Sequence, residues 1–81
     1  MELKDTVDMM QSAHYEDRFM AEYYQLKIRI EKLQKMVSRY KNGTLDFTPV
    51  CPPELLEKQL VAMEQYLQIL EERAQIEGVA L

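Results

Sequence analysis

The side chains best suited to chemistry are a set of cations with aromatic company: Arg29, Lys32, Lys35 and Arg39, flanked by Tyr24 and Tyr40. On a helix, Lys32, Lys35 and Arg39 fall within one sector, and Tyr24 and Ile28 share it. Guanidinium and ammonium groups hold phosphates through charge-assisted hydrogen bonds, and an aromatic ring beside them offers a stacking face to a base. The chemistry this predicts is capture of a nucleotide, with Arg29, Lys32, Lys35 and Arg39 on phosphates and Tyr24 or Tyr40 on a base. The competing reading is a solvated face, or one that pairs with Glu57, Glu64 and Glu71 of another copy.

Other chemistries find little support. Two glycines cannot build a phosphate loop, and a single histidine, His14, with a single cysteine, Cys51, supplies neither an intrachain disulfide nor a usual zinc ligand set. Glu71 and Glu72 are adjacent, so on a helix they point to different faces rather than forming an acid/base pair. His14 reads as a surface or interface residue and Cys51 as a small buried hydrophobe. No catalytic residue, metal site or cofactor is expected.

The elements that must position the cations are two long helices. Phe19, Tyr23, Leu26, Ile30, Leu33, Val37 and Tyr40 repeat with alternating spacings of 4 and 3, the signature of a helical stripe. Ser12 and Glu16 break this rhythm on the N-terminal side. Residues 1–14 therefore form a separate segment, with Val7, Met10 and His14 on a short helix that Asp5 or Thr6 could cap. The first long helix is expected over residues 15–41, stopped by Asn42-Gly43. A connector, residues 42–52, contains Pro49 and Pro52 and cannot be regular helix. Its Leu45, Phe47 and Val50 are expected to tuck against the hairpin end. The second helix, 53–77, starts on Pro53 and carries its own stripe: Leu56, Leu60, Met63, Leu67, Leu70 and Ala74. Residues 78–81 form a tail. The fold predicted is all-α, a single-domain antiparallel two-helix hairpin with a short N-terminal helix, placing Tyr40 near Leu56 and Phe19 near Ala74.

A further apolar line runs along another side of the second helix: Leu55, Ala62, Ile69 and Ile76, seven residues apart, with Tyr66 alongside. One hairpin buries only one of these two sides, and a chain of 81 residues makes a small core. A homo-oligomeric helical bundle, a tetramer or hexamer, is the expected remedy, with Leu55, Ala62, Tyr66, Ile69 and Ile76 at its interface. Charge is split: residues 17–41 carry seven basic and three acidic side chains, and residues 54–77 two basic and six acidic, so the two helices attract. A net charge of −4 argues against DNA as partner. Charged residues interrupt every apolar run below the roughly 18 residues a membrane span needs, and the free thiol suits a cytoplasmic setting.

Two stretches, Arg18 to Leu33 and Leu55 to Leu70, resemble a family of small helical-hairpin proteins of crAss-like and other tailed phages and prophages. The second follows the pattern LL..QL..M..YL.IL..R, completed by Arg73. The resemblance covers roughly residues 15 to 76 and implies a phage origin and a helical hairpin. By architecture alone the chain is also similar to phage anti-defence sponges, helical oligomers that trap nucleotide second messengers of bacterial immunity. That similarity implies a sequestering protein working in the infected host's cytoplasm without turnover, and carries over no binding residue. The alternative function is a helical adaptor or inhibitor that offers the apolar line of the second helix to a host protein.

Overall fold

The computed structural model describes residues 1–81 as an all-helical chain. A 3-10 turn, Leu3–Thr6, runs into one α-turn, α1 (Val7–Met10), followed by α2 (Tyr15–Asn42) and α3 (Pro53–Glu77). The helices α2 and α3 form the antiparallel hairpin that their stripes and short connector dictate. Phe19, Tyr23, Leu26 and Ile30 of α2 bury against Leu70 and Ala74 of α3, so Phe19 and Ala74 share one cluster as the register requires. Across the seam, Gln34 Nε2 donates to Glu64 Oε1 at 2.9 Å, and Lys41 pairs with Glu57.

Both long helices end on glycine, for the same reason. Gly43 and Gly78 take the left-handed conformation, φ 71° and 74°, which a residue with a Cβ adopts only under strain. After Gly43 the Thr44 amide returns to the Arg39 carbonyl at 3.0 Å. After Gly78 the Val79 amide returns to Ala74 at 2.9 Å, and this turn folds Val79 into the core beside Phe19. The expected tail thus contributes a core residue.

The N-terminal segment lies on α2, held differently from the sequence reading. Asp5 closes a capping box with Glu2. Thr6 does not cap with its side chain; it is fully buried, donates to the Leu3 carbonyl at 2.7 Å and accepts from Gln25 Nε2 at 2.9 Å. Val7, Met10 and His14 are exposed, although the Met10 sulfur accepts a second bond from Gln25 at 3.5 Å. Ala21, Gln25 and Ile28 fall on one line of α2, and both Ala21 and Ile28 are buried outside the α2–α3 cluster. The N-terminal segment covers that line, so Ile28 is not a free neighbour of the cations.

The connector also departs from expectation. Val50 is fully exposed and Phe47 is 56 % exposed, while Leu45 and Cys51 are half-buried. Prolines at 49, 52 and 53 keep this bent stretch out of regular helix, and Phe47 and Val50 point away from the helix ends. Only 12 of 81 residues are buried, in a body of 43 × 24 × 16 Å. The short dimension is little more than the ~10–12 Å width of one helix, so α2 and α3 each keep a face open to solvent.

Candidate functional site

Where the N-terminal turn ends on α2, the hairpin seam opens into a solvent-facing cleft of about 340 Å³. This is at the small end of the range of ligand pockets, roughly 300–1,000 Å³. Leu3 supplies one rim, Arg29, Lys32, Leu33 and Met36 of α2 one wall, and Gln59 and Met63 of α3 the other. Leu33 and Met63 belong to the two core stripes, yet both stay half-buried where they line the cleft. The floor is aliphatic and thioether, with two cations and an amide at the edge. None of these groups is a carboxylate, hydroxyl, thiol or imidazole that could act as nucleophile or proton carrier. The arrangement suits holding an anion with an apolar or planar part.

The electrostatics favour an anion. The ion pairs of the chain are Lys4–Glu2, Lys41–Glu57 and Arg73–Glu77. Lys27, Arg29, Lys32, Lys35 and Arg39 therefore have no carboxylate partner within the chain, and all are exposed. Lys32 at the cleft, then Lys35 and Arg39, continue the line of Ala21, Gln25 and Ile28 as a bare basic stripe running on toward the hairpin apex.

Arg29 and Lys32 are the sequence-predicted ligand residues that the structure brings to the cleft. Tyr24 is half-buried against the core cluster, its ring edge-on to Tyr23 at 5.2 Å. Tyr24 and Arg39 are separated by about 22 Å of helix, so one small ligand cannot touch both within a single chain. Lys35 does not line the cleft, and Arg39 and the half-buried Tyr40 lie on its hairpin-apex side. Leu3, Leu33, Met36, Gln59 and Met63 escaped the sequence reading as site residues, because a cleft wall built from stripe residues has the same pattern as a closed core. Gln59, a polar residue one turn before Met63 at the seam's edge, was the one available signal.

The interface residues expected on α3 are exposed in the single chain: Leu55 and Ile69 at 54 % and Ile76 at 85 %, with Ala62 between them. Tyr66 sits at the border, its hydroxyl donating to Glu22 of α2. No His, Cys, Asp or Glu cluster of three or more comes together to hold a metal ion, and no helix is long and apolar enough to cross a membrane.

At the opposite end of the seam a clasp joins α2 to α3. Tyr15 donates to Glu77, and Arg73 donates to Glu77 at 3.0 Å and to the Tyr15 oxygen at 3.1 Å. The Tyr15 hydroxyl bond, with help from Arg73, holds the Glu77 carboxyl below its ordinary range, while the same bond to Glu77 raises the Tyr15 phenol.

No curated protein and no solved structure matches the chain. A family model described as Sequestin matches residues 13–76, a span that contains all of α2, the connector and α3 up to Ile76. With the match running over well beyond half its length, this chain belongs to the Sequestin family.

Proposed function

We propose that the protein sequesters a nucleotide second messenger, a cyclic oligonucleotide or an ADP-ribose derivative, as a phage anti-defence factor that binds without turnover. The observation that carries this reading is the pair Arg29 and Lys32, two cations without intrachain partners at the edge of an apolar-floored cleft whose lining has no carboxylate, hydroxyl, thiol or imidazole. The family description, with its implication of sequestering, supports the same class of function. Stoichiometric capture needs affinity alone, so bare cations and an apolar floor suffice. Phosphates would sit on Arg29 and Lys32, with Lys35 and Arg39 extending the basic track. Copies associating through Leu55, Ala62, Tyr66, Ile69 and Ile76, as a tetramer or hexamer, would bring Tyr24 or Tyr40 of one chain toward the ligand of another and close the open side of the cleft.

The test is a thermal-shift panel of cyclic dinucleotides, cyclic trinucleotides and cyclic ADP-ribose isomers, followed by calorimetry. At least one should raise Tm and return unchanged after recovery from the complex. A flat panel at millimolar ligand overturns the reading. The exposed α3 line favours a second reading, a helical adaptor or inhibitor that binds a host protein. A chain that neither self-associates nor binds nucleotides would favour it.

A further inference from the structure

The two flanks of the exposed apolar line on α3 are not alike. On one side lie Gln59, Tyr66 and Arg73, spaced by seven, and each is occupied within the chain: Gln59 at the cleft, Tyr66 on Glu22, Arg73 on Glu77 and Tyr15. On the other lie Lys58, Gln65 and Glu72, also spaced by seven, all exposed and none with an intrachain hydrogen bond or ion pair. Between the flanks run Leu55, Ala62, Ile69 and Ile76, with Val61, 55 % exposed, beside the free flank.

A strict seven-residue repeat drifts about 20° per repeat on a straight helix, which a second helix follows by supercoiling around it. The free flank reads positive, neutral, negative along the helix. That order complements itself when a second α3 lies antiparallel: Lys58 meets Glu72 of the other copy, twice by symmetry, and Gln65 meets Gln65 near the two-fold axis. The same alignment sets Leu55 opposite Ile76 and Ala62 opposite Ile69, large against large at the ends and small against large in the middle. A parallel two-fold alignment would instead set each free flank against the partner's other flank, whose Tyr66 and Arg73 are already engaged within their own chain, so Lys58 and Glu72 would gain no such matched pair.

We infer that the occupant of this face is a second copy of the chain, docked as an antiparallel α3–α3 pair about a two-fold axis at Gln65–Tyr66. The inference rests on the association invoked for the proposed function only in taking a second copy as partner; the direction and register come from the Lys58, Gln65 and Glu72 pattern. A two-fold contact is self-contained. A tetramer or hexamer would need a further, different contact, for which the bare cations of α2 are placed away from this face.

The experiment uses the full chain carrying Cys51→Ser. Leu55→Cys and Ile76→Cys versions are mixed and treated with a short bis-maleimide, and Lys58→Glu, Glu72→Lys and the double reversal are followed by sedimentation equilibrium. The substituted α3 sites are all exposed and Cys51 is half-buried, and circular dichroism checks that each variant keeps its helices. The expected result is cross-linking between Leu55→Cys and Ile76→Cys chains, with little self-linking of either. Each single reversal should weaken the dimer about tenfold, as expected for losing two rim ion pairs and creating two like-charge contacts, and the double reversal should restore it. Self-linking of Leu55→Cys, cross-linking of α3 to the α2 face of another copy, or a chain that stays monomeric and leaves this face to a different protein would each overturn the inference. A flat nucleotide panel alongside the expected cross-link would sink the sequestering role while leaving the dimer standing.

Discussion

The Arg73 guanidinium carbon sits 5.1 Å above the Phe19 ring while its Nε holds Glu77 at 3.0 Å. One side chain of α3 thus lies over the first core aromatic of α2 and orders the carboxylate that Tyr15 also binds. Replacing Arg73 with lysine would keep the charge but lose the planar stack and the fork of donors. Arg73→Lys should therefore lower Tm nearly as much as Arg73→Ala, by a few degrees, in a melt followed at 222 nm.

The same clasp sets a pH dependence. Glu77 titrates below its ordinary value in the folded chain, so its contribution to stability is fully present above the unfolded value, about 4.3, and is lost as pH falls through the lower folded one. Tm should drop on acidification below about pH 4, and Glu77→Gln should remove part of that slope. Equal slopes for the two proteins would show that the clasp is not formed in solution.

Leu70 is fully buried at the centre of the main cluster, facing Phe19, Tyr23 and Leu26. With so few buried residues to share the loss, Leu70→Ala should cost about 3 kcal/mol and unfold much of the population at 37 °C. Leu70→Met, nearly equal in volume, should cost under about 1.5 kcal/mol. Urea denaturation measures both.

Thr6 is the anchor of the N-terminal segment, through bonds to Leu3 and Gln25. Thr6→Val keeps the shape and removes the hydroxyl, leaving the Gln25 amide without its oxygen acceptor at a cost of about 1–3 kcal/mol. The α2–α3 seam does not involve Thr6, so the loss should be local: faster amide exchange and protease nicking over residues 3–10, with α2 and α3 protected as before. Because Leu3 rims the cleft, ligand affinity should fall in the same variant.

Ligand capture itself should separate the cations. Arg29→Ala and Lys32→Ala should each weaken nucleotide binding tenfold or more by calorimetry, since both stand at the cleft. Lys35→Ala and Arg39→Ala, farther along the stripe, should act mainly through long-range attraction and lose most of their effect at 0.5 M salt. Equal losses at all four positions would move the site onto the stripe.

The hairpin was legible because its determinants are local. Two stripes of alternating 4 and 3 spacing, a Gly43 stop and a Pro53 start fix two helices and the faces they share. The exposed state of Leu55, Ile69 and Ile76 followed from the same periodicity. What escaped depends on partners distant in sequence or on small differences in fit. Val79 enters the core only because Gly78 reverses the chain, and Thr6 is buried only because Gln25 meets it. Phe47 and Val50 were expected inside on hydropathy, but the proline-rich backbone around them does not bring them there. Arg29 and Lys32 were legible as cations able to hold phosphate; that they share a cleft with Leu3, Gln59 and Met63 required the packing of three elements. Periodicity tells which residues face a partner helix, and leaves open how completely each is covered.

From Leu45 to Cys51 the backbone takes part in no main-chain hydrogen bond, while α2 closes on Gly43 and α3 starts afresh on Pro53. The apex is therefore a splice point rather than a strut: its length and wording can be rewritten with little consequence for the register of the two rods it joins. A lineage under pressure to reach a new target could graft a loop there at small cost, and a fluorophore or peptide tag placed there would ride on the protein without disturbing either the cleft or the α3 face.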